Sequence, residues 1–93
     1  MAKTFRVSVL TPDRVLFDGD VEYLYVPGAA GYMGILPDHA PLLSSLTPGK
    51  FELRLPPPAA SFAFNTQKSG FLEVNKNIVS ILLDVTDSSA ISA

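Results

Sequence analysis

The chain has 93 residues and a mass of 10.0 kDa, carries no cysteine and has a formal net charge of −2. That is the length of one domain, too short for a separate cofactor or substrate domain beside it. The missing cysteines exclude a disulfide scaffold, a thiolate zinc site and thiol catalysis. An apolar share of 47% with only 17% charged residues and a mean hydropathy of +0.28 rules out disorder and points to a face covered by a partner.

The cations Lys3, Arg6, Arg14, Lys50, Arg54, Lys68 and Lys76 are spread along the chain. Nucleic-acid binding needs a basic patch that displaces counterions, so no nucleic-acid partner is expected. Met1 to Val7 alternates polar and apolar residues and lacks the apolar core of a signal peptide. No stretch reaches the ~18 apolar residues of a membrane-spanning helix, so direct membrane insertion is not expected.

In chain order the elements read as strands and turns. Phe5, Val7 and Val9 share one side of a first strand, and Thr11-Pro12-Asp13-Arg14 is turn chemistry. Val15-Leu16-Phe17 follows, then Asp18-Gly19 as a hairpin-type dipeptide, then the β-branched and aromatic run Val21 to Val26. Pro27 to Gly31 ends that run and Tyr32 to Leu36 resumes it. Pro37 to Pro41 is a stiff loop before Leu42 to Leu46, a short helical or extended piece. After the Thr47-Pro48-Gly49 turn, Phe51, Leu53 and Leu55 alternate with Glu52 and Arg54. Pro56-Pro57-Pro58 reads as a loop or protected edge. Phe62 and Phe64 mark a strand, Asn65 to Gly70 a turn, and Phe71 to Val74 the next strand. A tight turn at Asn75-Lys76-Asn77 precedes Ile78 to Val85, and Thr86 to Ala93 is a short polar tail expected to fray. About ten short strands with turn signals between them predict one all-β domain over 1–85, a β-sandwich or flattened barrel.

Few residues carry chemistry. His39 is the only histidine and lacks the surrounding carboxylates of a metal site, so it reads as a loop histidine making a backbone or interface hydrogen bond. A triad assembled from Ser44 or Ser45, His39 and Asp84 lacks a nucleophile elbow. Asp18, Asp20 and Glu22 fall on one face of an extended stretch and read as a solvated side. The glycines of Gly28-Ala29-Ala30-Gly31-Tyr32-Met33-Gly34 precede a strand and a proline, with no helix or lysine to complete a phosphate loop, so they read as turn glycines. The phenylalanines, Phe71 included, are expected in the core. What is left is an exposed pair of loops, Tyr32-Met33 on a glycine-flanked tip and Asp38-His39 between two prolines, suited to a protein interface.

Three stretches then carry a resemblance: Thr11-Pro12-Asp13-Arg14-Val15-Leu16-Phe17-Asp18-Gly19, Val26-Pro27-Gly28 to Gly31, and Gly34-Ile35-Leu36-Pro37-Asp38-His39-Ala40-Pro41-Leu42-Leu43. With Leu46 to Gly49, Gly70 to Val74 and Asn77 to Leu83 in order, the chain resembles the epsilon-subunit family of F-type ATP synthases over about residues 4–85. The resemblance implies a ten-stranded β-sandwich and a non-catalytic central-stalk subunit without cofactor. Its partners would be the gamma subunit and the c-ring, on the cytoplasmic side of a bacterial plasma membrane. It would couple proton-driven rotation to ATP synthesis. Carried over by position, Gly31, Tyr32, Met33 and Gly34, with Asp38 and His39, would be the c-ring contacts. Tyr32 stands where the family often has glutamate, and Asp38 where glycine is common. No helical pattern follows Val85, which implies a chain without the family's C-terminal helical hairpin, its inhibition of ATP hydrolysis or its nucleotide binding, whether naturally short or truncated. The competing reading is a β-sandwich that takes a small molecule between its sheets, which would need polar residues pointing inward.

Overall fold

A computed structural model describes residues 3–84 and the backbone of 91–92. Its strands are β1 (Phe5–Thr11), β2 (Arg14–Val21), β3 (Tyr23–Gly28), β4 (Gly31–Ile35), β5 (Leu42–Leu46), β6 (Gly49–Arg54), β7 (Phe62–Thr66), β8 (Gly70–Asn75), β9 (Ile78–Leu83) and β10 (Ile91–Ser92). The hydrogen-bonded order is β10-β7-β6-β3-β5-β8-β9-β1-β2, with β4 on the other edge of β3. All pairs are antiparallel except β1 with β9.

The path turns a corner at β3 and β5, which meet through the single pair Gly28 and Leu46. On one side lie β4, β3, β6, β7 and β10, and on the other β5, β8, β9, β1 and β2. The predicted sandwich is therefore two layers of one curled sheet. Stacking of Phe17 on Phe62, with centroids 5.6 Å apart, joins β2 to β7 on the side away from the corner.

Period-2 patterning places the core. Phe5, Val7 and Val9 of β1, Leu24 and Val26 of β3, Phe51 and Leu53 of β6, Leu72 and Val74 of β8, and Val79, Ile81 and Leu83 of β9 all point between the layers. Phe51 lies opposite Phe64 and stacks on it at 5.0 Å with an interplanar angle of 7°. Each fully buried side chain of this size contributes roughly 1.5–3 kcal/mol by leaving water.

Three expectations are corrected, and one open choice is settled. Asp18-Gly19 is not a hairpin turn: both lie inside β2, opposite Ser8 and Val7. The reversal occurs at Pro12-Asp13, where the Thr11 hydroxyl donates to Asp13 Oδ1 at 2.8 Å and accepts the Arg14 N–H at 3.2 Å. Proline chemistry with a side-chain cap defined that turn, and the Asp-Gly pair was continued as strand by its neighbours. Phe71 is not core: it is 58% exposed, because it falls on the outward parity of β8 between buried Gly70 and Leu72. Of the two forms open to Leu42 to Leu46, helical or extended, the segment takes the extended one, paired with β8. The tail does not fray at Ile91 and Ser92, whose backbones pair with Thr66 and Asn65 along the edge of β7. Val85 to Ala90 and Ala93 lie outside the described residues.

Candidate interaction surface

The first candidate segment is β4. The chain reverses at Ala29-Ala30 and enters β4 through Gly31, whose φ of 127° suits a residue without Cβ. Tyr32 is 49% exposed, yet it is held on two sides. Its ring stacks on Tyr25 at 5.0 Å, and its hydroxyl accepts the Lys50 N–H at 3.0 Å. Tyr25 stacks in turn on Tyr23 at 6.3 Å, and the Arg54 guanidinium lies 5.5 Å from the Tyr23 centroid. Three tyrosines and an arginine thus form a ladder across the outer face of β4, β3 and β6.

Gly34 belongs to this ladder and not to a turn. It pairs with Tyr25, and a Cβ on it would lie 2.5 Å from the Tyr23 hydroxyl. Glycine here makes room for an aromatic ring on the neighbouring strand. Met33 points the other way, half-buried and packed against the core, so it is not a tip residue.

The second segment, Pro37 to Pro41, follows the far end of β4. Asp38 takes a left-handed conformation, φ 65°. Its backbone N–H donates to Asn77 Oδ1 at 2.6 Å, while Asn77 Nδ2 donates back to Asp38 Oδ1 at 2.9 Å. Lys3 Nζ donates to Asp38 Oδ2 at 2.6 Å. The hydrogen bonds from Lys3 and Asn77 hold the Asp38 carboxyl below its ordinary range, and the Asp38 carboxylate raises the Lys3 ammonium. His39 is half-buried, and its Nδ1–H donates to the Ala40 carbonyl at 2.8 Å. That is the backbone hydrogen bond expected of a loop histidine.

Gly28 pairs with Gly31 at one end of β4 and Leu24 with Ile35 at the other. Tyr32 and the Asp38-His39 loop therefore mark opposite ends of one strand and do not form one cluster. Among the described residues β4 pairs with β3 alone, so its outer edge is unpaired between them.

Among the described residues the candidate triad of Ser44 or Ser45, His39 and Asp84 is not joined by hydrogen bonds. The Ser44 hydroxyl donates instead to the Ser45 carbonyl at 3.0 Å. Among the described residues no three His, Asp or Glu side chains gather to hold a metal ion. Asp18 instead accepts from Arg6 Nε at 2.9 Å and from the Ser8 hydroxyl at 3.1 Å, which lowers its carboxyl pKa. The space between the layers is filled with apolar side chains, and its buried polar side chains, Thr11 and Thr66, bond within their own turns. An open groove lined by Pro41, Leu42, Leu43, Glu73, Val74 and Asn75 lies outside the core.

Sequence reasoning missed a further surface. Register aligns Phe71 with Leu82, Leu82 with Leu10, and Leu10 with Val15 across β8, β9, β1 and β2. Phe71, Leu82 and Val15 are 58%, 53% and 59% exposed, so an apolar row crosses the outer face of this layer. Its signal was the parity of Phe71 and Leu82 against their buried neighbours, but only the register brings the four strands side by side.

Residues 4–88 match the family described as the ATP synthase delta/epsilon chain, beta-sandwich domain. The chain belongs to this family. It is 42% identical over 83 residues to the ATP synthase epsilon chain of Leptospira borgpetersenii serovar Hardjo-bovis, covering 89% of this chain and 63% of that one. To the ATP synthase epsilon chain of Desulforamulus reducens it is 34% identical over 87 residues, covering 94% and 64%. The chain thus spans a little under two thirds of the length of these relatives. The fold recurs in a chain of the Euglena gracilis mitochondrial ATP synthase OSCP/F1/c-ring structure, with a TM-score of 0.77 and 21% identity over 86% of this chain and 50% of that one. It recurs again in the Tetrahymena thermophila mitochondrial ATP synthase central stalk/c-ring structure, with a TM-score of 0.72 and 20% identity over 90% and 66%. Among the described residues no helix is long and apolar enough to cross a membrane.

Proposed function

We propose that this chain is a non-catalytic rotor element of an F-type ATP synthase, seated between a gamma subunit and a c-ring at the membrane surface and passing rotation from one to the other. It binds no nucleotide or cofactor in this role. The family match over residues 4–88, which takes in the nine strands of the two layers from β1 to β9, carries the reading.

The physics of the fold supports it. A coupling element under torque has to resist deformation, and a dry, interdigitated core between two hydrogen-bonded layers has low compressibility. Two partners also need two surfaces. The apolar row Val15, Leu10, Leu82 and Phe71 suits a broad protein face, and we assign it to gamma. The edge of β4, bracketed by Tyr32 and His39, is the contact for the c-ring loops; Gly31 and Gly34 shape it and Asp38 holds its far end. With Tyr32 in place of a carboxylate, this contact works through ring packing and one hydroxyl.

The reading as a small-molecule carrier is disfavoured by the filled, apolar interior. Co-expression with the gamma subunit of the same enzyme, followed by gel filtration, tests the assignment. The two chains co-elute, and Leu82→Glu with Phe71→Glu abolishes co-elution while leaving the circular dichroism spectrum unchanged. Independent elution of the unaltered chains removes the reading.

A further inference from the structure

The loop that presents His39 has little to hold it within its own sequence. Leu36 to Pro41 lies outside the strands, and the His39 ring bonds only to the adjacent carbonyl of Ala40. Among the described residues, every hydrogen bond that ties this loop to another segment converges on Asp38. Two of the three come from one side chain, Asn77.

Asn77 is fixed independently of the loop. Asn75 pairs with Ile78, which makes Lys76-Asn77 the two-residue turn of the β8–β9 hairpin, and both have positive φ, 52° and 61°. That is the backbone of a type I′ turn, whose twist matches the flanking strands and which favours asparagine. Asn77 is therefore preset by β8 and β9, rigid strands of the opposite layer. Its side-chain oxygen takes the Asp38 N–H and its amide gives a bond to the Asp38 carboxylate, so acceptor and donor are matched in one two-point contact. Asp38 in turn gains from being held, because a left-handed φ costs a residue with a Cβ, although less for aspartate and asparagine than for most. Lys3, just ahead of β1, closes the carboxylate from its other oxygen.

We propose that Asn77, assisted by Lys3, is the positioning residue of the His39 loop: it clamps Asp38 in the left-handed conformation and so sets the direction in which His39 is offered to a partner. The partner half of this statement rests on the reading of the loop as a c-ring contact. The clamp itself does not.

Amide hydrogen exchange on the whole chain tests the clamp. Asn77→Gly keeps the positive φ of the turn and removes only the side chain. It speeds exchange at the Asp38 amide by about tenfold or more, as expected for losing a charge-assisted network. Asp38→Asn keeps an acceptor oxygen and tolerates the left-handed conformation, so exchange stays within about threefold of the unaltered chain. Exchange at the Val79 and Ile81 amides stays unchanged in both variants, which reports an intact sheet. An Asp38 amide that ignores Asn77→Gly overturns the clamp.

Cross-linking in the assembled synthase separates the clamp from the contact. Asn77→Gly lowers the disulfide yield from His39→Cys to a cysteine placed in the c-subunit loop and leaves the yield from Tyr32→Cys, at the other end of β4, unchanged. Faster exchange with a His39→Cys yield at background level in both chains upholds the clamp and overturns the loop as a c-ring contact, whereas a high yield that Asn77→Gly leaves unchanged overturns the claim that the clamp directs His39.

Discussion

The hydroxyl of Tyr32 accepts the backbone N–H of Lys50 at 3.0 Å, so a half-exposed side chain on β4 is bonded to the backbone of β6 across β3. Removing the hydroxyl with Tyr32→Phe keeps the ring on Tyr25 and loses that bond, a destabilisation of about 0.5–1.5 kcal/mol. Tyr32→Glu loses the stack as well and is the less stable of the two. Urea unfolding of both variants gives the ranking. Equal stability of all three chains would show that the ladder contributes nothing.

Gly34→Ala adds a Cβ into the space occupied by the Tyr23 hydroxyl. The Tyr23 ring moves and its contacts with Tyr25 and Arg54 are disturbed, at a cost of about 1–3 kcal/mol. Gly31→Ala tests a different cause. Nothing crowds its Cβ, but the φ of 127° is unfavourable for alanine. Combining Gly34→Ala with Tyr23→Ala recovers stability relative to the sum of the single changes, whereas Gly31→Ala with Tyr23→Ala does not.

Phe51→Ala opens a cavity in the fully buried core, opposite Phe64. The expected loss is about 3–5 kcal/mol, a large share of the ~5–10 kcal/mol available to a domain of this size. Thermal denaturation of this variant starts near room temperature. Phe71→Ala, the same chemical change on the outer face, shifts the midpoint little.

Acid stability follows from two surface carboxylates. The hydrogen bond from Arg6, aided by Ser8, lowers the pKa of Asp18, and those from Lys3 and Asn77 lower that of Asp38, both from an ordinary 3.8. A carboxyl with a lower pKa folded than unfolded adds stability that is complete above the unfolded value and is lost as the pH falls through the folded one. Lys3 behaves in the opposite sense: its raised pKa adds stability below 10.5 that is lost as the pH rises through the higher folded value. Denaturation midpoints measured from pH 7 to pH 2 fall on the acid side, and the chain with Asp18→Asn and Asp38→Asn shows a shallower fall. An unchanged acid limb would mean that neither pair persists in solution.

Much of the fold is legible because strand parity is a strict rule. Phe5, Val7 and Val9 are buried as their alternation requires, and Thr11-Pro12-Asp13-Arg14 turns where proline and a capping hydroxyl favour it. What escapes a linear reading depends on partners distant in sequence. Asp18-Gly19 has turn chemistry but is held extended by β1, and Gly34 is shaped by the ring of Tyr23. The two candidate segments look like neighbours in sequence, yet β4 runs between them. The apolar row is invisible until Leu10, Leu82 and Phe71 are placed in register. Asn77 carried no chemical signal either, because its role is to be opposite Asp38, 39 residues away in the chain.

Mechanical coupling by this chain is read out by proton pumping. Membrane vesicles are assembled with an F-type ATP synthase of matching source, lacking or containing this chain, and ATP-driven acidification is followed with a fluorescent pH probe. The chain restores acidification to vesicles lacking it, Leu82→Glu with Phe71→Glu fails to do so, and ATP hydrolysis then proceeds without pumping. Acidification of equal rate and extent with the chain present, absent or altered at Leu82 and Phe71 would contradict coupling by this chain.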